Sequence, residues 1–390
     1  MCLNACLLTA IYERGTQATG TKIMKEKQIY LTGLNGLRAI AALSVVVAHI
    51  SQEGIADFGF PRLFDLPMAG YGVTLFFVIS GFLITYLLIN EVNKTETVNV
   101  TKFYIRRILR IWPIYYLFIL VSLLVFGLLN QSSHILVPEL WYYIFFAANF
   151  PFIAQNGILI LVHYWSIGVE EQFYLFWPWV ARFSKTKLLK VAVLILILLF
   201  AAKIAGWFVW GAPSFVYRFF MVTRFHCMMI GAISAILFAS QNQLFIRIFT
   251  HKFTQALAWF LFFIMGFGLI HVPAVIGQEL IAIISVSMIL GQVINGKRLF
   301  NLERPVFDFV GKISYGIYVI HPLIVLLLSR LFKPLEMNMF LKYVLVYSSV
   351  IASTILLSWL SYKYFEKPFL NLKTKYMVVK SSNSMKNIIP

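Results

Sequence analysis

The first apolar stretch of the chain is LNGLRAIAALSVVVAHI, residues 34–50, in which an arginine and a histidine interrupt small and aliphatic residues. On a helix that rises about 1.5 Å per residue, the eleven steps from Arg38 to His49 separate the two side chains by roughly 16 Å. One side chain is therefore expected near a membrane face and the other deep in the apolar layer, where an ionisable group is costly. Because an imidazole titrates near neutral pH, it is the side chain best suited to move a proton at that depth. The stretch indicates a membrane enzyme.

The composition of the whole chain indicates an integral membrane protein. Of its 390 residues, 60% are hydrophobic and 12% are charged, and the mean hydropathy is +0.82. Soluble domains are about 45–50% apolar and about 25% charged. The net charge of +18 is assigned to basic loops between apolar spans, so no nucleic-acid partner is predicted. The three cysteines show neither paired spacing nor a CxxC motif, which argues against a disulfide framework and a metal site.

The predicted fold is an all-α polytopic membrane helix bundle with about ten transmembrane helices. Segments long enough to cross about 30 Å of hydrocarbon lie near residues 35–52, 70–90, 111–130, 163–182, 188–210, 224–240, 254–271, 275–294, 312–330 and 341–362. The aromatic stretch 139–153 is shorter and fits an interfacial or re-entrant piece. Segments on one side of this scheme hold 25 of the 33 lysines and arginines, which predicts that both termini are cytoplasmic.

Three regions are predicted along the chain. A transmembrane domain spans residues 31–370, after a cytoplasmic extension at 1–30 and before a short basic cytoplasmic tail at 371–390. Residues 1–23 lack the charged region, apolar region and cleavage site that follow one another in a signal peptide. Met24 is an alternative start, and with that start residues 1–23 would be an upstream extension that is not native. No internal repeat is visible, which disfavours a transporter built from two related halves.

Several polar residues of different spans are predicted to lie at similar depth. Counted from the cytoplasmic end of each span, His49 lies about 21 Å deep, Glu170 and Glu171 lie roughly 18–20 Å deep, and His321 lies about 14 Å deep. Adjacent helical residues point about 100° apart, so at most one of the two glutamates should face His49. Each polar residue alone is explained by a hydrogen bond within a bundle. A histidine and a glutamate at the same level favour a functional site.

A cluster of arginines begins the third predicted span. Arg106 and Arg110 lie one turn apart on one helical face, and Arg107 is adjacent to the first of them. Guanidinium forks suit phosphate oxygens. An ordinary basic cluster at the lipid headgroups explains the pattern equally well from the residues alone.

Six motifs in order along the chain closely resemble those of the acyltransferase 3 family of bacterial membrane O-acyltransferases. They are Arg38 with His49 after ten intervening residues, FFVISGFL at 76–83, RILRIWP at 107–113, WSIGVEEQFY at 165–174, GKISYGIYVIH at 311–321 and YFEKPF at 364–369. The resemblance runs from about residue 31 to 370. Gly168 stands where many members carry serine, and Gly316 and Ile320 are mild variants. These departures leave the choice of substrate open.

The resemblance implies that an acyl group, commonly acetyl from cytoplasmic acetyl-CoA, is transferred to a hydroxyl of a glycan or related acceptor at the outer face of the bacterial cytoplasmic membrane. Acyl-CoA is then a co-substrate rather than a permanently bound cofactor, and the other partners are the acceptor and the lipid bilayer. Related members carry a C-terminal SGNH-type domain, and the short tail here predicts a stand-alone form. The alternative function is a transporter or flippase for a lipid-linked or anionic glycan precursor, in which the same residues would relay protons or bind a headgroup.

The resemblance also supports a set of site residues. The residues predicted to bind acyl-CoA are Arg38, Arg106, Arg107 and Arg110. The predicted catalytic residues are His49, Glu170 and Glu171. In this scheme His49 is the general base for the acceptor hydroxyl or a transient acyl carrier, and one of the glutamates fixes its tautomer. Weaker candidates are Ser80, Tyr174 and His321, and no metal is required.

Overall fold

The computed structural model describes residues 31–53, 58–61, 66–129, 137–294 and 296–379. The predicted extension at 1–30, with the alternative start, and the end of the predicted tail lie outside the described residues. Within the described ranges the regular elements are helices and no strand occurs. The predicted all-α class is therefore confirmed.

Sixteen α-helices follow one another along the described chain. They are α1 (Leu34–Glu53), α2 (Met68–Thr95), α3 (Val100–Leu128), α4 (Val137–Ile144), α5 (Asn149–Ile153), α6 (Tyr164–Val180), α7 (Lys185–Ala205), α8 (Phe215–Thr223), α9 (Phe225–Ala239), α10 (Gln243–Thr250), α11 (Lys252–Gly266), α12 (Ala274–Val293), α13 (Pro305–Lys312), α14 (Ser314–Phe332), α15 (Met339–Ser361) and α16 (Lys367–Thr374). Short helical turns at Leu159–Leu161, Gly206–Trp210 and Tyr362–Glu366 connect or extend them.

Eight spans in the described part of the chain are long and apolar enough to cross a membrane. They are formed by α1, α2, α3, α7 with the turn after it, α8 with α9, α12, α14, and α15 continued through α16. A ninth span results if α10 and α11, which meet at a bend of 55°, are counted together. The remaining predicted span is α6, whose 17 residues extend about 25 Å. The protein is thus a multi-pass membrane protein, and α4 and α5 are too short to span, as predicted for 139–153.

Helix α2 is the central element of the bundle, and small residues let its neighbours approach closely. A Cβ atom on Gly81 would lie 2.1 Å from the carbonyl oxygen of Met228, and one on Gly231 would lie 2.3 Å from that of Val78. Glycine is therefore required on both sides of the contact between α2 and α9, which is the way small residues drive helix association in lipid.

Helices α1 and α2 run antiparallel. Arg38 near the start of α1 and Glu91 near the end of α2 line one cavity, whereas Ala48 packs against Met68 at the opposite end. We call the end at which α1 begins and α2 ends the basic end of the bundle. It is the end that the charge pattern predicts to be cytoplasmic.

Candidate active site

A cavity opens at the basic end, and all four arginines predicted to bind acyl-CoA line it. It lies between α1, α2, α3, α13 and the C-terminal helix. Its charged lining residues are Arg38, Glu91, Arg106, Arg107, Arg110, Lys312, Glu366 and Lys373. We call it the basic cavity. Cationic groups outnumber carboxylates on its wall, so its electrostatic character suits an anionic ligand.

The arginines of the basic cavity differ in their partners. Arg106 forms an ion pair of 2.9 Å with Glu91, which is only 2% exposed, and also donates to the carbonyl oxygen of Tyr376. Arg107 packs over an aromatic ring on each of α3 and α6, and its Nε atom is buried without a hydrogen-bond partner. Neither Arg38 nor Arg110 makes a hydrogen bond or ion pair with any residue that the structure describes. Three guanidinium groups are therefore available to a ligand, and the fourth is already neutralised.

A second cavity continues from the first toward the middle of the bundle. Arg38, Arg107, Arg110 and Tyr315 line both cavities. The further polar residues on its wall are Ser80, Ser166, Glu170, Tyr174, Ser314 and Tyr318. We call it the inner cavity. Two of the weaker sequence candidates, Ser80 and Tyr174, thus lie in the same chamber as one of the predicted glutamates.

The two adjacent glutamates point in different directions, as the helical geometry predicts. Glu170 faces the inner cavity and accepts hydrogen bonds from Ser80 Oγ at 2.6 Å and from Tyr174 Oη at 3.5 Å. Glu171 accepts from Trp112 Nε1 at 3.4 Å, and its Oε1 atom is buried without a partner.

Neither glutamate is the hydrogen-bond partner of His49. The Nδ1 atom of His49 lies 2.8 Å from the Nε2 atom of His321, and the two rings stack at an interplanar angle of 18°. The expectation that Glu170 or Glu171 fixes the tautomer of His49 is therefore corrected. Depth counted along a helix axis placed these residues at one level. It does not specify the rotation and tilt of each helix, which decide which side chain faces His49.

The hydrogen-bond network assigns the tautomers of the two neutral rings. The Nδ1 atom of His321 lies 3.1 Å from the carbonyl oxygen of Ile317. Because a carbonyl oxygen can only accept, His321 carries its proton on Nδ1 and offers a lone pair at Nε2. His49 must then donate from Nδ1, which leaves its own Nε2 with an unprotonated lone pair. The pair has the arrangement in which one group orients a general base, with His321 as the orienting group.

A third histidine, which the sequence analysis did not select, lies beside this pair. The ring of His163 is 5.5 Å from that of His321, and its Nε2 atom is 3.1 Å from the carbonyl oxygen of Val319. Its Nδ1 atom is buried without a partner. The signal that could have found it is its position two residues before the WSIG motif. No group of three or more His, Cys, Asp or Glu residues in the described ranges has an arrangement that could hold a metal ion.

Two hydroxyl groups connect the inner cavity with the histidines. Ser166 and Tyr318 line the cavity, and their oxygen atoms are 2.6 Å apart. The ring of Tyr318 lies 5.6 Å from that of His163 and 5.9 Å from that of His321. The inner cavity therefore ends at a hydroxyl pair that adjoins His163 and His321.

Comparison with known proteins assigns the chain to a family. The family model described as an acyltransferase domain, that of acyltransferase 3, matches residues 31–363. The chain belongs to this acyltransferase family. The proteins named O-acetyltransferase OatA from Staphylococcus aureus strains NCTC 8325, COL and MRSA252 are each 28% identical to it over 369 residues, which cover 87% of this chain and 57% of each relative. This acyltransferase thus spans somewhat more than half the length of these curated relatives. No solved structure matches it.

Proposed function

We propose that the protein is an O-acyltransferase of the bacterial cytoplasmic membrane. It moves an acyl group, in the simplest case acetyl, from cytoplasmic acyl-CoA to a hydroxyl group of a glycan or related acceptor at the outer face. Family membership supports the reaction class, and the printed name of the OatA relatives supports acetyl. The observation that carries the proposal is the continuous pair of cavities, which leads from guanidinium groups without an ion pair at the basic end to Ser166 and Tyr318, and the Tyr318 ring lies 5.9 Å from that of His321.

The basic cavity binds the phosphate groups of acyl-CoA in this proposal. Arg38, Arg107 and Arg110 form no ion pair within 4.0 Å with a described carboxylate, and hydrogen bonds from a guanidinium to phosphate are worth about 1.5–3 kcal/mol each. Lys373 adds a fourth cation on the same wall, and the sequence analysis did not select it. Arg106 is assigned to shaping the cavity through Glu91 rather than to binding the donor.

The depth of the cavities suits the long, thin pantetheine arm of coenzyme A. On α2, Glu91 lines the basic cavity and Ser80 lines the inner cavity. These residues are eleven positions apart, which corresponds to roughly 16 Å along the helix axis. Phosphates held at the mouth leave this length for the arm, so the thioester reaches the hydroxyl pair of Ser166 and Tyr318.

The chemistry follows from the lone pair on His49 Nε2. That atom takes the proton of the acceptor hydroxyl while the hydroxyl oxygen bonds to the thioester carbonyl carbon. The carbon–sulfur bond then breaks, the acyl ester is formed, and the proton passes from His49 to the departing thiolate. His321 Nε2 accepts the Nδ1–H of His49 throughout and keeps the base in its reactive tautomer. The same lone pair also suits the second predicted route, in which His49 carries the acyl group transiently.

The test is acetyl-CoA turnover by the purified protein in lipid nanodiscs, measured as free CoA by chromatography. We expect slow hydrolysis in the wild type and loss of it in His49→Ala. His251→Asn is the matched control, because His251 accepts from the backbone nitrogen of Phe253 at a helix start and asparagine retains that cap. A flippase would release no CoA, so absence of turnover in the wild type under conditions in which the protein stays folded contradicts the proposal.

A further inference from the structure

A third cavity lies at the end of the bundle opposite to the basic end. It lies between the start of α2, the junction of α8 and α9, and the segment that leads into α12. Its polar lining residues are Tyr71, Arg224, His271 and Gln278. We call it the distal cavity. None of its residues was selected from the sequence.

Arg224 occupies a conformationally costly position on the wall of the distal cavity. It separates α8 from α9, and its φ angle is 45°, in the left-handed region that bulky side chains rarely adopt. Breaks of this kind within membrane spans are places where transport proteins bind polar ligands. Contacts of the Arg224 side chain must therefore compensate the energy of this backbone conformation, which places its guanidinium group on the wall of the distal cavity.

The guanidinium group of Arg224 is held firmly but is not neutralised. Its Nη1 atom donates to the carbonyl oxygen of Gly70 at 2.7 Å and to Thr74 Oγ1 at 3.0 Å, and its Nε atom donates to the carbonyl oxygen of Met221 at 3.1 Å. All these acceptors are uncharged. Among the described residues no carboxylate forms an ion pair with Arg224, and its Nη2 atom has no hydrogen-bond partner. Glu279 acts on Arg224 electrostatically, but its carboxylate is already paired with Lys203 and His226. An oriented positive charge that has no ion pair of its own in an apolar layer indicates a binding site for an anion.

The distal cavity approaches the inner cavity closely. On α2, Tyr71 lines the distal cavity and Val73 lines the inner cavity, a separation of about 3 Å along the helix axis. The guanidinium carbon of Arg224 lies 5.3 Å from the centre of the Trp165 ring. Trp165 immediately precedes Ser166, one of the two hydroxyl residues at the end of the inner cavity. Trp165 thus contacts Arg224 and is adjacent in the chain to a residue of the inner cavity, which places a molecule bound against Arg224 near the proposed thioester position.

We infer that the distal cavity is the acceptor site, and that Arg224 binds an anionic group carried by the hydroxyl-bearing acceptor. The role of the bound molecule as acyl acceptor rests on the proposed function. Binding of an anion at Arg224 does not depend on acyl transfer. The aromatic face of Tyr71 offers a surface for the apolar face of a sugar ring, and Gln278 and His271 offer polar contacts. A carboxylate and a phosphate satisfy the same guanidinium, so the experiment separates them.

The test measures binding of three sugars that differ at one position. Methyl glucoside is neutral, methyl glucuronide carries a carboxylate, and methyl glucoside 6-phosphate carries a phosphate. Each is titrated by calorimetry against the protein in nanodiscs without acetyl-CoA. We expect at least one anionic sugar to bind at least tenfold more tightly than the neutral one, and the stronger of the two identifies the anion.

The variants locate this preference. Arg224→Gln is expected to remove it, and Arg224→Lys is expected to retain part of it, because lysine keeps the charge but lacks the planar fork. Arg218→Gln is the matched control, since Arg218 lies on α8, the helix that ends just before Arg224, and donates to the carbonyl oxygen of Ile153 but is not on the cavity wall. The Arg218→Gln variant should prefer the anionic sugars over the neutral one to the same degree as the wild type.

Two kinds of failure are distinguishable. Equal binding of all three sugars by the wild type, no binding of any, or an unchanged preference in Arg224→Gln would overturn the inference while acetyl-CoA turnover remained intact. Absence of acetyl-CoA turnover with an Arg224-dependent preference would instead contradict the proposed function and retain the anion site.

Discussion

Replacement of Arg107 and Arg110 together by alanine is expected to weaken acetyl-CoA binding strongly. Neither residue forms an ion pair within 4.0 Å with a described carboxylate, so the variant breaks no salt bridge, although Arg110 acts on Glu366 and both arginines act on Glu170 electrostatically. If each arginine contributes one hydrogen bond to phosphate, worth about 1.5–3 kcal/mol, the pair contributes at least about 3 kcal/mol. That corresponds to a loss of affinity of about a hundredfold, since about 1.4 kcal/mol is a factor of ten.

Arg106→Ala provides an internal contrast on the same helix. Its removal leaves Glu91, which is 2% exposed, with a hydrogen bond from the backbone nitrogen of Asn99 as its remaining partner. Breaking one side of a buried ion pair typically costs about 3–5 kcal/mol. We therefore expect this variant to lower thermal stability clearly while it changes the affinity for acetyl-CoA less than threefold, on the order of the small effects of residues outside an energetic centre.

The assay is titration of acetyl-CoA by calorimetry in nanodiscs at two salt concentrations, with thermal melting of each variant. The alanine pair should lose both affinity and part of its salt dependence, because fewer cations then attract the phosphates. A double replacement of Arg107 and Arg110 by lysine should restore only part of the affinity. Unchanged affinity in the alanine pair would assign these arginines to lipid headgroups. A larger loss of acetyl-CoA affinity in Arg106→Ala than in the alanine pair would show that Arg106, and not Arg107 with Arg110, binds the donor.

Three further predictions concern the histidine pair, the helix packing and the topology. His49→Ala should abolish acyl transfer without loss of membrane expression. His321→Gln should retain more activity than His321→Ala, because a glutamine oxygen can still accept a hydrogen bond from His49 Nδ1. Turnover measured against pH tests both predictions, and equal rates in the two His321 variants would contradict the tautomer assignment. Gly81→Ala should destabilise the protein by about 1–3 kcal/mol through overpacking, since the added Cβ would meet the backbone of Met228, whereas Gly127→Ala, which meets nothing within 4 Å, should melt like the wild type. A reporter fused to the C-terminus should give a cytoplasmic signal, and an external signal would overturn the charge-based orientation.

The sequence alone determined the membrane character, the helical class and the composition of the basic end. These features depend on local properties, namely the length and hydropathy of segments and the runs of Arg and Lys beside them. Arg106, Arg107 and Arg110 lie within five residues on one helix, so their common location required no knowledge of tertiary contacts. Arg38 joins them because a helix start and a basic loop are expected on the same side of the membrane.

The tertiary structure decided which polar groups meet. His49 and His321 are 272 positions apart, and a depth count along the helix axis does not specify the rotation and tilt that bring two rings into contact. For the same reason, only the structure separates Arg106, which Glu91 neutralises, from its unpaired neighbours. The charge of Arg224 is informative because of what surrounds it, since two of its neutral acceptors, on Gly70 and Thr74, come from the distant helix α2. The sequence specifies the chemistry of each side chain. The hydrogen-bond and ion-pair partners of that side chain depend on packing between segments that are distant along the chain.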